Sequence, residues 1–68
     1  MNKAMLRSFM ALNGDTSRDL AEYLGITEQS VSNKINENGT EFKLNEIRKI
    51  IARYTLTPND VDLIFFNF

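Results

Sequence analysis

The stretch TSRDLAEYLGITEQSVSNKIN, residues 16–36, decides the fold. It holds two short runs with apolar residues at helical spacing, separated by Gly25 and each headed by a threonine. Thr16 is placed to cap the first run, and Asp19 three residues on can return a hydrogen bond as a shortened capping box. Leu20, Ala21 and Leu24 then share one face. Gly25 ends the run because it takes the left-handed conformation at little cost, which permits a sharp change of direction. Ile26 precedes a second cap, Thr27, and forms with Val31 a hydrophobic staple that sets the angle of the next helix, over residues 28–36. With Val31 and Ile35 inward, a step of about 100° per residue puts Gln29, Ser32, Asn33 and Asn36 on the opposite side.

Outward from this segment the helical period continues, and no stretch alternates as a strand would. Residues 2–13 carry Met5, Leu6, Phe9, Met10 and Leu12 and stop at Gly14. After the turn-forming run Asn36, Glu37, Asn38, Gly39, Phe42 and Leu44 lead into a fourth helix. Its Ile47, Ile50, Ile51 and Tyr54 form a second core wall, with Arg48, Lys49 and Arg53 read as a solvated face. Thr57, Pro58 and Asp60 mark the start of a fifth helix that carries Val61, Leu63, Ile64, Phe65 and Phe66. No internal repeat or linker divides the chain, so the expectation is a single all-α domain of five helices over residues 1–68, with an apolar C-terminal helix and tail at 57–68.

At 68 residues the core is small, and a chain of this size buries only about 60% of the surface its unfolded form exposes. There is no cysteine to form a disulfide, and with no histidine either the usual zinc ligands are missing. The same absence removes the usual nucleophile–base pairs, and no glycine-rich phosphate loop is visible. The expectation is therefore no catalytic residue, no cofactor, no metal and no small-molecule substrate. The apolar fraction of 43% and charged fraction of 25% are those of a soluble globule. No apolar run is longer than residues 63–66, so no membrane association and a cytoplasmic location are expected. Eight basic and nine acidic side chains leave a net charge of −1. Within residues 16–36, Arg18 and Lys34 face the three acids Asp19, Glu22 and Glu28, which makes attraction to phosphate modest.

Alanine at 21, glycine at 25 and valine at 31, with aliphatic residues at 20, 24 and 26, resemble the helix-turn-helix of the Cro and C1 repressor family of phage and bacterial regulators. The layout is also similar: one helix before the motif and two after it. The resemblance implies that the chain binds operator DNA with residues 28–36 as the recognition helix, in a major groove about 12 Å wide. It implies base contacts from Glu28, Gln29, Ser32 and Asn33. Glutamine and asparagine amides can pair bidentately with adenine N6 and N7, and a carboxylate can accept from cytosine N4. Phosphate contacts are implied for Ser17, Lys34, Asn36 and Lys43. The chain departs from the family pattern in having Ser17 where glutamine is frequent, and Glu37 and Glu41 where positive charge is frequent.

The C-terminal Leu63, Ile64, Phe65, Phe66 and Phe68 supply more apolar surface than one core-facing stripe needs, and such patches mark contacts. They are expected to form a dimer or partner interface, because proteins of this family commonly bind paired half-sites as symmetric dimers. The chain is similar as well to the MOR modulators of repression of lactococcal phages. That likeness implies an alternative: an antirepressor that binds a phage repressor and controls the lytic–lysogenic switch by protein–protein contact. Acids such as Glu28 would then pair with the repressor's basic DNA-binding face.

Overall fold

The computed structural model describes residues 1–66 and is all-α. Five α-helices follow in order: α1 (Lys3–Leu12), α2 (Ser17–Leu24), α3 (Glu28–Ile35), α4 (Leu44–Tyr54) and α5 (Pro58–Val61). Expected boundaries hold to within a residue or two except at the end of the chain. There α5 is a single turn that widens into a π-helical segment, Asp62–Phe66, instead of continuing as one α-helix. The Ile64 carbonyl accepts from the Asn2 N–H at 2.7 Å and its side chain is fully buried, so this segment is tied to the start of the chain.

Threonine caps start three of the helices. Thr16 accepts from the Asp19 N–H at 3.2 Å, and the Asp19 carboxylate accepts from the Thr16 N–H at 2.8 Å. Thr57 and Asp60 repeat this reciprocal pair, and Thr27 accepts from the Ser30 N–H at 3.1 Å. Helix α4 starts differently. The side chain of Lys43 cannot accept, so only the returning half of the box forms, with Glu46 Oε1 accepting from the Lys43 N–H at 2.8 Å.

The core draws on every part of the described chain: Leu6 and Met10 from α1, Leu20, Ala21 and Leu24 from α2, Val31 and Ile35 from α3. Phe42, Ile50, Tyr54, Leu56 and Ile64 complete it. Met5, Phe9, Ile26, Ile47 and Ile51 pack on it partly buried. Leu12, an apolar position of α1, is 82% exposed because it lies about 200° around the helix from the buried Met10.

Three ionic contacts join distant segments, one of them the Met1 ammonium with Glu37 at 2.9 Å. Lys34 Nζ donates to Glu46 Oε1 at 2.7 Å, with both side chains nearly fully buried, and so ties α3 to α4. Arg53 donates twice to Asp15, at 2.6 and 2.8 Å, and Tyr54 Oη donates to the same carboxylate at 2.7 Å. The Arg53 guanidinium also stacks 4.6 Å from the Tyr23 ring centroid. Arg53 is thus no part of a free solvated face; it pins the α1–α2 turn and α2 to α4.

Hydrogen bonding from Arg53 holds the Asp15 carboxyl below the usual range. Burial pushes Glu46 upward, but hydrogen bonds from Lys34 and the Lys43 backbone, with the nearby positive charges, outweigh it and leave Glu46 lowered as well. Burial, then Asp15, pushes the Tyr54 phenol up, so it stays protonated as a donor.

Breaking the Lys34–Glu46 pair from one side leaves a buried charge without its partner. Lys34→Met or Glu46→Leu alone is expected to cost about 3 kcal/mol in urea unfolding, and the double variant to regain most of it. Asp15 and Glu46 have folded-state values below those of the unfolded chain, so their contribution is complete above the ordinary carboxylate range, about pH 4, and is lost as pH falls through the folded-state values. Thermal melts are expected to show a flat midpoint above about pH 5 and a steep fall below it, with a shallower fall in Asp15→Asn.

Candidate nucleic-acid interface

Helix α3 is presented by what lies behind it. Val31 and Ile35 are fully buried against Leu20, Ala21 and Leu24, and the small Ala21 side chain permits close approach of α2 and α3. Between the helices Gly25 adopts φ +74°, and both Gly25 and Ile26 donate to the Ala21 carbonyl, at 2.9 and 3.1 Å. That closes α2 in a left-handed turn and sends the chain off in a new direction.

With the back of α3 fixed, its other edge faces outward. Glu28 and Gln29 are exposed, Ser32 and Asn33 are half-buried, and Asn36 is exposed at the C-cap. The four residues expected to contact bases are therefore brought together along one helix, clear of the core. Gln29 Nε2 donates to Asn33 Oδ1 at 3.1 Å, so the two amides are linked along that edge. Ser17 is half-buried at the first position of α2, and the Lys43 side chain is exposed at the head of α4.

Lys34 does not belong to this surface. Expected as a phosphate-contacting cation, it is only 7% exposed and its ammonium is held by Glu46. The sequence carried a signal for this: Lys34 lies about 60° around the helix from Val31, on the border of the inner face, where a long aliphatic stem can be drawn in. Other cations are also engaged. Arg18 lies 3.7 Å from Glu22, and Arg53 is committed to Asp15. Among the described residues Lys3, Arg7, Lys43, Arg48 and Lys49 are exposed and make no ion pair. The Thr16 backbone N–H holds Asp19 ionised at the head of α2, and Glu37 and Glu41 are exposed after α3.

The C-terminal aromatic segment divides. Ile64, expected at an interface, is a core residue with no exposure, because the π-helical segment turns it onto the rest of the core. Leu63 and Phe65 are half-buried, Phe65 meeting Phe42 edge to face at 6.3 Å, and Phe66 is 51% exposed. Phe68 lies outside the described residues. Beside Phe66 is a pocket of about 230 Å³, walled by Met1, Phe42, Ile47, Phe65 and Phe66 together with Lys34, Glu37 and Glu41, and the Met1 ammonium is paired with Glu37 at 2.9 Å. Among the described residues no group of His, Cys, Asp or Glu is arranged to hold a metal, and no helix is long and apolar enough to cross a membrane.

Comparison with protein families matches residues 5–61 to the model of the Cro/C1-type HTH DNA-binding domain. No curated protein and no solved structure matches the chain. The matched span ends at Val61, so the aromatic π-helical segment lies beyond it.

The division of the C-terminal residues is open to a stability test. Ile64→Ala is expected to lose about 2–5 kcal/mol, as a core truncation does. Phe66→Ala is expected to change urea unfolding by less than about 0.5 kcal/mol, as an exposed site does.

Proposed function

The chain belongs to the Cro/C1-type HTH DNA-binding domain family, and from that premise we propose that it is a phage-type transcription regulator that binds operator DNA with α3 in the major groove. One observation carries the reading: α3 has its apolar back fully buried while Gln29, Ser32 and Asn33 stand on the opposite side and Glu28 is exposed at its head. Those four side chains contact bases. The Ser17 hydroxyl, the Asn36 amide and the Lys43 ammonium contact phosphate and set register without reading sequence. Phe66, with the outer parts of Leu63 and Phe65, forms the contact between two copies on paired half-sites.

A second reading is favoured by the pocket beside Phe66. Its apolar walls suit a protein segment with an apolar anchor, and Glu41, which pairs with no cation among the described residues, suits a basic neighbour on that segment. In this reading the chain is a modulator of repression that binds a phage repressor and reaches DNA only through it.

The two are separated by selecting duplexes from a randomised pool with the full chain, followed by gel shift. Direct operator binding is expected to enrich one sequence, and Gln29→Ala and Asn33→Ala each to lose about 1–3 kcal/mol on it with little change on random DNA. If no sequence is enriched, direct reading fails, and co-elution with a phage repressor on size exclusion becomes the expected result of the second.

A further inference from the structure

Gln29 and Asn33 are taken above as two base-contacting residues, yet they are hydrogen-bonded to each other. Gln29 Nε2 to Asn33 Oδ1 is 3.1 Å, across one turn of α3. We propose that the two side chains read DNA as one joined amide unit directed at a single adenine, a reading that rests on the direct DNA binding proposed above.

The chemistry of the pair defines its target. Each amide has one carbonyl oxygen and one NH2 group. The internal bond consumes one hydrogen of Gln29 Nε2 and one lone pair of Asn33 Oδ1. Left for DNA at the two ends of the unit are Gln29 Oε1, an acceptor, and Asn33 Nδ2, a donor of two hydrogens, while one hydrogen of Gln29 Nε2 and one lone pair of Asn33 Oδ1 stay unused beside the internal bond. If both amide planes are turned over, the free oxygen and the free NH2 exchange residues, and the unit still presents one of each. In the major groove guanine shows two acceptors, cytosine one donor, and thymine an acceptor beside a methyl group; adenine alone shows a donor at N6 beside an acceptor at N7. Gln29 Oε1 accepts from adenine N6 and Asn33 Nδ2 donates to N7.

The internal bond also lowers the cost of binding. It restrains both side chains before DNA arrives, so less rotamer freedom is lost on binding. Removing either partner frees the other, which makes the two residues interdependent. Independent contacts have no such dependence.

The test is a double-mutant cycle on the duplex that the full chain selects from a randomised pool, read by gel shift. Gln29→Ala and Asn33→Ala are each expected to weaken binding about tenfold, and the double variant little more than either one. Replacing the target adenine by 7-deazaadenine, which lacks the N7 acceptor, is expected to weaken the wild-type chain and to have no further effect on Asn33→Ala. A double variant whose loss is the product of the two single losses overturns the joined unit while leaving direct DNA binding in place. So does a selected sequence with no adenine whose replacement matters. Single variants that bind the selected duplex as the wild type does remove direct reading by this edge altogether. Both side chains lie outside the core, so the fold is retained in all these variants.

Discussion

An eight-residue helix is not stable in water by itself, and α3 exists because Val31 and Ile35 are fully buried against α2. That constraint organises the rest of the molecule. Burial of one side determines which residues are left on the other, so the position of Gln29 and Asn33 follows from where the aliphatic residues sit. The turn that delivers the helix is equally constrained, since Gly25 at φ +74° occupies backbone space where a Cβ is strained even though nothing crowds the position. Close packing by Ala21, a left-handed Gly25 and the Thr27 cap act in sequence: one brings the helices together, one turns the chain, one starts the next helix.

The second organising feature is the use of charge inside the fold. A domain this small has little apolar area to hold α4 against the others, and it adds ionic contacts between segments far apart in sequence. Lys34 with Glu46 joins the back of α3 to the head of α4, while Arg53 with Asp15 and Tyr54 closes α4 over the α1–α2 turn. A buried ion pair adds less to net stability than it does to position, because desolvation offsets most of the attraction. Its effect here is geometric: α3 is fixed from behind by Leu20, Ala21 and Leu24 and from its C-terminal end by Glu46.

Most of the fold was legible in the sequence because its determinants are local. Thr16 with Asp19, Thr27, and Thr57 with Pro58 and Asp60 mark three helix starts within four residues each, and the glycines at 14 and 25 mark stops. The outer edge of α3 was legible for the same reason, since period and staple together fix its inner side. What could not be read depends on partners far along the chain. Nothing near Lys34 reveals Glu46 twelve positions away, and nothing near Arg53 reveals Asp15 across thirty-eight. Ile64 illustrates the same limit: a run of four apolar residues does not say which of them faces in, and the π-helical segment changes the count by which they turn.

These two features meet in the electrostatics of the exposed surface. Every cation drawn into the fold is one fewer available to phosphate, and Lys34, Arg53 and, more loosely, Arg18 are paired within the chain. Association driven by counterion release depends on the number of free cations at the contact, and α3 itself offers none, since its one lysine, Lys34, is held by Glu46. Apart from Glu28, what α3 presents outward is neutral, and hydrogen bonds of neutral groups are directional and insensitive to salt. A helix set by burial and carrying no free cation leaves selectivity to geometry, because a hydrogen bond to a neutral group is strong only when donor and acceptor are aligned.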